Sequence, residues 1–434
     1  MPVTRLYVHN YKSLRKIDFE VPAMRVLVGA NASGKSNLAD AFDFLSEVFR
    51  FGLETAVDRK GGYENICFRR ERRSKAAIHL GVTATLEGRE VNRVGLRGKL
   101  LFKHDFEFQA KSEAIGADFR ITKETFSIAL LPERVAQPFQ LQLEELSQLA
   151  LVLAKVERSG NQASIEFVPP PDTFRRGRMY DIYLERLQTL GKTTELEDTE
   201  LAAFALSGLF PPLRRFTELL GRVRVYQLSP RGCREPGVPI PNPELDRFGA
   251  NLPAMVRYLR NRYEDAYGEV LAHLREAVPA IESVEEDYTH RKTLTLYFKE
   301  FGVSRSWPVE DISDGTVQIL GLLVAMFDPR TALVFIEEPE NSVHPWIVQV
   351  ILKACRDAAS SKQLILTTHS PVILDMISPD ELGIVSRAHG ETALRSATSL
   401  DDGIKALWES GKTSLFDYIN SGAIPAAVPG LTTD

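Results

Sequence analysis

Residues 24–49 read MRVLVGANASGKSNLADAFDFLSEVF, and the fold follows from how that stretch must run. Met24 to Val28 is a stretch of strand length, apolar except for Arg25, that ends on a glycine. Gly29-Ala30-Asn31-Ala32-Ser33-Gly34-Lys35-Ser36 has the spacing G-x-x-x-x-G-K-S. Glycines let the backbone curl so that successive N–H groups point inward at an anion. The helix that follows, Ser36 to about Phe49, places Leu38, Ala41, Phe42, Leu45 and Phe49 on one face. Its N-terminus brings partial positive charge to the same spot. Lys35 then reaches the β- and γ-phosphates of a nucleoside triphosphate, and the Ser36 hydroxyl ligates Mg²⁺. Gly29, Asn31, Ala32, Ser33, Gly34 and Asn37 complete the expected cradle. The bland alternative is a glycine turn that binds nothing. A strand before and a helix after are the context that the phosphate reading requires.

Upstream, residues 4–9 and 15–21 alternate apolar and polar, joined by Asn10-Tyr11-Lys12-Ser13. Downstream, residues 76–131 hold four strand-like runs, AAIHLGVTATLE, NRVGLRGKLLF, DFEFQAKS and TFSIALL, which predict an antiparallel subdomain. LALVLAKV and ASIEFV around Ser159-Gly160-Asn161 predict a hairpin. The stretch after Pro171 reads as mostly helical up to Pro211-Pro212, and one long helix is expected from about Leu252 to Ala277.

The last third carries three further motifs. Leu333-Val334-Phe335-Ile336-Glu337-Glu338-Pro339 is a buried parallel strand with two carboxylates at its C-terminal end, where ligands of α/β sheets bind. Glu337 is the candidate for the Mg²⁺ shell. Glu338 is the candidate to orient and deprotonate an attacking water. Solvated strand-end acids are the ordinary alternative. Gln363-Leu364-Ile365-Leu366-Thr367-Thr368-His369-Ser370-Pro371 is another such strand, and it places His369 where a γ-phosphate would be sensed or polarised. Ser313-Asp314-Gly315, before the helix VQILGLLVAM, makes a second anion-ready helix start, or an N-cap and no more.

Taken in this order, the motifs resemble the ATP-binding-cassette ATPases. Nearly the whole chain is similar to the stand-alone predicted ATPases of the RecF, SMC and OLD-nuclease branch. Asn10-Tyr11-Lys12-Ser13 resembles that branch's N-F-K-S element. The segment from Leu245 to Leu252, with Asn251, resembles its G-x-N-L element, and Glu337 to Pro345 its E-E-P-E-x-x-L-H-P. The resemblance implies that Ser313, Asp314 and Gly315 close over a partner protomer's ATP. It implies that Glu337 and Glu338 are the Walker B pair, that His344 lies in the D-loop and that His369 is the switch histidine. Glu337 departs from the aspartate of transporter cassettes, and Val343 from the usual leucine. No Q-loop glutamine is assigned; Gln109 falls in a strand and reads as an ordinary surface residue.

Absences narrow the branch. Roughly 280 residues separate Lys35 from Ser313, enough for a lobe but not for an SMC-like arm. About 65 residues follow His369, too few for an appended metal-dependent nuclease domain. The guanine motif N-K-x-D is missing, which disfavours GTP. The formal charge of −5 over 434 residues argues against a surface that coats nucleic acid throughout. Arg69-Arg70-Glu71-Arg72-Arg73-Ser74-Lys75 and Arg175-Arg176-Gly177-Arg178 are candidates for DNA phosphate contact, against the default of a solvated face. Leu141, Leu143, Leu146 and Leu149 read as lobe core. Cys67, Cys233 and Cys355 lack ligand spacing and read as reduced thiols of a cytoplasmic protein. No apolar run spans a membrane.

The expected fold is α/β, a P-loop NTPase cassette head with an antiparallel β-subdomain and an inserted mixed, mainly helical lobe. The expected division is 1–134, 135–275 and 276–434. The expected function is an ATP- and Mg²⁺-dependent ATPase that forms an ATP-sandwich homodimer. It would act as a nucleotide-gated switch in nucleic-acid repair or anti-phage defence, with a separate effector or nuclease as a further partner. A non-hydrolysing dimerisation scaffold and a small-molecule P-loop kinase are the rivals. The Ser313-Asp314-Gly315 and Thr367-Thr368-His369 elements argue against the last, because kinases do not need a trans signature.

Overall fold

The computed structural model describes residues 2–68, 76–93, 95–114, 116–131, 151–170, 175, 193–401, 403–411, 413–422 and 424. The chain divides into two compact units. One comprises Met1–Pro22, Asp40–Val223 and Arg387–Leu394, and the other Ala23–Ala39, Arg224–Ser386 and Arg395–Asp434.

The first unit is built on a sheet in which every neighbouring pair runs antiparallel, in the order β2-β1-β4-β5-β6-β7-β8-β9. Its strands are β1 (Val3–Tyr11), β2 (Leu14–Glu20), β4 (Ile78–Leu86), β5 (Lys99–Ala110), β6 (Phe119–Leu131), β7 (Leu151–Ser159), β8 (Gln162–Phe167) and β9 (Thr193–Glu195). Two of the four runs expected between 76 and 131 merge, because the apolar alternation continues unbroken through Leu100, Phe102, His104, Phe106 and Phe108. The Asn92-Arg93 start of the expected second run lies instead in a short helix, Arg89–Arg93. The expected hairpin around Gly160 is present, and it extends this sheet rather than standing apart.

One face of the sheet packs on aromatic rings. Phe216, from helix α2 (Pro211–Leu220), stacks on Phe102 with centroids 5.3 Å apart and meets Phe49 edge-on at 5.7 Å. Pro211-Pro212 opens α2, where a missing N–H costs nothing. Buried charge in this unit is paired. Asp40 receives Tyr11 Oη at 2.7 Å and Lys60 at 3.0 Å, and forms an ion pair with Lys12. Both basic runs lie outside the described residues apart from Arg175, whose Nε donates to the Pro170 carbonyl at 2.8 Å. Leu141 to Leu149 and most of the stretch after Pro171 also lie outside them.

The second unit carries sheet strands in the order β10-β14-β15-β3-β16. These strands are β3 (Met24–Val28), β10 (Val223–Tyr226), β14 (Leu333–Glu337), β15 (Gln363–Thr367) and β16 (Leu382–Ala388). A three-stranded antiparallel sheet of β11 (Ile281–Tyr288), β12 (Leu294–Glu300) and β13 (Trp307–Pro308) adjoins its own helices. Strands β14, β15, β3 and β16 pair in parallel, and β14 and β15 are buried along their whole length. Such strands read as continuous apolar runs because both faces are covered. Helix α5 (Asp314–Phe327) is buried continuously from Thr316 to Met326, so it is a core helix rather than an amphipathic one.

The single helix expected from 252 to 277 is two, α3 (Leu252–Arg262) and α4 (Glu264–Ala277). Tyr263 leaves helical geometry at φ −142°, ψ 64° and separates them. Periodicity continues across the break, so the pattern alone could not mark it. Among the described residues, no helix is long and apolar enough to cross a membrane.

Candidate nucleotide site

The parallel register decides which loops meet. Glu337 lies opposite Thr367 on β15, and Thr367 lies opposite Leu27 on β3. The C-terminal ends of β14, β15 and β3 are therefore neighbours. Each continues into one of the polar segments singled out above: Glu338-Pro339-Glu340, Thr368-His369-Ser370 and Gly29 to Ser36.

The glycine loop is tightly constrained. A Cβ on Gly29 would stand 1.9 Å from the Val385 carbonyl oxygen, so no side chain fits there. Gly34 has φ +109° and Ala32 φ +62°, values that allow the loop to reverse into α1 (Lys35–Phe51). The Ser33 N–H closes the turn on the Ala30 carbonyl at 3.1 Å. Lys35 is buried, and its Nζ donates to the Gly29 and Ala30 carbonyls at 2.7 and 3.1 Å. Burial lowers its pKa, while Glu338, Glu337 and Glu340 oppose that shift through their charge. Asn31, Ala32 and Ser36 are exposed, and Asn37 is half-buried. The first-turn N–H groups of a helix, here opening with Lys35 and Ser36, have no intrahelical acceptor.

Across the strand ends, Glu337 is 5% exposed and its Oε1 accepts from Arg247 Nη2 at 2.5 Å. Glu338 sits at φ +48°, a conformation rare for a non-glycine residue. Its N–H donates to the Thr367 carbonyl at 3.0 Å, and its Oε2 accepts from Asn341 at 2.8 Å. Its other oxygen lies 3.9 Å from His369 Nε2. Burial lowers the His369 pKa first, and the Lys35 charge lowers it further. Glu340 Oε1 accepts from the Thr368 hydroxyl at 2.7 Å and from the His369 N–H at 2.8 Å, which fixes the turn that carries the histidine.

The structure thus brings Lys35, Glu337, Glu338 and His369 together. Ser313, Asp314 and Gly315 stand elsewhere in the same unit. Ser313 caps α5, accepting from the Thr316 N–H at 3.3 Å, and Asp314 pairs with Arg234 at 2.5 Å. A Cβ on Gly315 would lie 3.2 Å from the Ser342 carbonyl, so this helix start abuts the turn that follows Glu338. His344 caps the next helix, α6 (Pro345–Ala359), through Nδ1 and the Trp346 N–H at 3.3 Å.

The profile of a family described as "AAA domain, putative AbiEii toxin, Type IV TA system" matches residues 25–135 and 232–375, more than half of the chain. The chain belongs to this family. The matched segments of this AAA-domain protein hold the glycine loop, both strand-end carboxylates, His369 and the Ser313–Gly315 helix start. Comparison with curated proteins gives no match. Among solved structures, it is similar to an SMC head bound to the C-terminal winged-helix domain of ScpA, at 12% identity and TM-score 0.46, over 91% of this chain and 97% of that one. An SMC head domain from Thermotoga maritima gives 12% and 0.41, over 91% and 99%. A Pyrococcus furiosus head with an extended coiled coil, bound to the ScpA C-terminal domain, gives 12% and 0.43, over 94% and 99%.

Three residues around the site of this AAA domain were not singled out by motif: Arg247, Glu340 and Arg234. Arg247 lies in the Leu245–Leu252 segment quoted for its glycine and asparagine, but spacing alone does not reveal a carboxylate 90 positions away. Glu340 lies inside the quoted E-E-P-E run, where its polarity was legible and its role as a clamp on the His369 turn was not.

Proposed function

We propose that the chain binds ATP·Mg²⁺ on the Gly29–Asn37 loop and hydrolyses it in a composite site shared by two copies of itself. The observation that carries this reading is the adjacency of β14, β15 and β3, which sets two carboxylates and a histidine beside Lys35. In it, Lys35 exchanges its two carbonyl acceptors for phosphate oxygens, and the loop and first-turn N–H groups hold the remaining charge. Glu338 takes the proton of the attacking water. His369, held neutral near pH 7 by burial and Lys35, donates or accepts one hydrogen bond at the γ-phosphate.

Ser36 and Glu337 would hold Mg²⁺. The fit rests on the donor set, one hydroxyl and one carboxylate, both hard oxygens beside a phosphate loop. Among the described residues there is no group of three or more His, Cys, Asp or Glu side chains suited to a metal. Mg²⁺ takes one or two protein ligands and completes its shell with phosphate and water. When bound, it would neutralise phosphate charge that develops during transfer.

Ser313, Asp314 and Gly315 would serve the partner's ATP. A helix start capped by its own serine supplies N–H groups and a hydroxyl to an incoming γ-phosphate. Turnover would thus gate dimerisation, and dimerisation would be the signal. The toxin–antitoxin wording of the family description supports a role in anti-phage defence over one in nucleic-acid repair, and the proposal adds a cytoplasmic location and a separate effector.

The test mixes Lys35→Ala with Ser313→Arg. Each alone should be inactive. In the heterodimer one composite site carries both lesions and the other none, so mixing should restore part of the activity. A mixture that contains heterodimers yet stays dead, together with wild-type specific activity that is flat with protein concentration, would place the whole site within one chain.

A further inference from the structure

The Arg247–Glu337 pair joins a guanidinium that is partly open to solvent to a carboxylate that is almost wholly withdrawn from it, with side-chain exposures of 28% and 4%. The backbone around Arg247 is anchored on both sides. Its carbonyl accepts from the Gln227 N–H at 2.8 Å, and the Phe248 carbonyl accepts from the Ser229 N–H at 3.1 Å. Asp246 Oδ1 accepts from the Phe248 and Ala250 N–H groups at 2.9 and 2.7 Å. Gly249, at φ +98°, closes the turn against Cys233, where a Cβ would stand 2.4 Å from the sulfur. These bonds tie down the backbone that carries Arg247, so a change of partner at Glu337 is a matter of side-chain movement.

Glu337 is the carboxylate read above as the Mg²⁺ ligand, and the inference rests on that reading. A divalent ion binds a carboxylate oxygen at about 2.0–2.1 Å and brings two positive charges with it. Arg247 already occupies Oε1 of the same group and places a full positive charge beside it. We propose that Arg247 is a latch on the metal-binding carboxylate: guanidinium and Mg²⁺ compete for Glu337, and loading of ATP·Mg²⁺ drives the Arg247 side chain off it. A fixed positive charge held against a carboxylate opposes the approach of a second cation to it through like-charge repulsion. Arg247 therefore sets the Mg²⁺ concentration at which the site loads.

The experiment is equilibrium binding of a fluorescent, non-hydrolysable ATP analogue, titrated with Mg²⁺ in wild type, Arg247→Gln, Arg247→Lys and Glu337→Gln. Thermal melts verify folding, and Arg247→Ala serves as a second neutral variant. Arg247→Gln should lower the half-saturating Mg²⁺ concentration by about ten-fold or more, with Arg247→Lys staying near wild type. An unchanged or raised half-point in folded Arg247→Gln, while Glu337→Gln abolishes the Mg²⁺ response, overturns the latch and leaves the metal-ligand reading standing. Had Arg247 merely oriented Glu337 for the metal, the half-point would rise. A wild-type Mg²⁺ response that survives Glu337→Gln sinks both.

Discussion

Glu124 in the first unit and Glu340 in the second are both carboxylates drawn out of water, and they are satisfied to different degrees. Glu124 is fully buried. Its oxygens accept from His104 Nε2 at 2.9 Å and from the Ala202 and Ala203 N–H groups at 2.8 and 3.0 Å, with Arg158 4.0 Å away. Glu340 uses one oxygen for Thr368 and His369, and its other oxygen, though shielded from solvent, finds no hydrogen-bond partner among the described residues. A buried acid with both oxygens engaged is a structural element, because changing any partner costs desolvation of the rest. An acid left half-engaged beside a phosphate loop is free to take another donor. The first unit buries charge to hold a sheet together. The second holds charge at strand ends in arrangements that can change partner.

Four substitutions or titrations probe that contrast. The largest effect is expected at Glu338. Glu338→Gln keeps the shape of the strand end but cannot take a proton, so steady-state ATP turnover should fall by about 10²–10⁴-fold with binding retained. Wild-type turnover in that variant would move the base to Glu337. In the first unit, Glu124→Ala strands the His104 imidazole and two N–H groups and removes the carboxylate that faces Arg158, and it should cost about 3–5 kcal/mol in urea unfolding. A loss under 1 kcal/mol would show that the network relaxes, and the contrast between the units would weaken.

Lys35→Ala removes a charge-assisted contact of about 1.5–3 kcal/mol. ATP affinity should drop by at least ten-fold in a filter-binding assay, with little change in the melt. The smallest effect belongs to His369. The folded protein holds its imidazole less readily protonated than the unfolded chain does, so the unfolded chain takes up the proton first as pH falls. The stability contributed by neutral His369 is complete above the ordinary imidazole value. It is lost as pH falls through that value toward the lower folded one. An NMR titration should therefore place His369 below about 6.5, and a midpoint above that would contradict the burial and Lys35 effects.

Much of the second unit is legible in the sequence. G-x-x-x-x-G-K-S between an apolar run and an amphipathic helix admits few alternatives, and the buried strands ending in Glu337 and Thr367 announced themselves as unbroken apolar runs. The adjacency of those strands, by contrast, is long-range and depends on register, which no local pattern states. The same limit hid Arg247. Tyr263 escaped because a helix break that preserves the apolar period leaves no trace in that period. In the first unit, alternation revealed the strands but not that 99–110 is one strand, since Gly98 and the charged residues within it resemble a turn. His104 and Glu124, 20 positions apart, carried no sign that they meet in the core.

The three cysteines are distributed so that each unit carries its own. Cys233 is sealed between Gly249 and Gly321, where Cβ atoms would come within 2.4 and 2.7 Å of its sulfur. Cys355 lies 3.4 Å from the Met326 sulfur. Burial pushes both thiols up to about 12. A thiol reagent meets neither an accessible sulfur nor a thiolate until the second unit opens. Cys67 is buried in the first unit and is likewise reached only by opening. Alkylation rates at these positions, resolved by mass spectrometry, would therefore act as two internal clocks. Each would time the breathing of one half of the chain, and the difference between them would report whether ATP tightens one half or both.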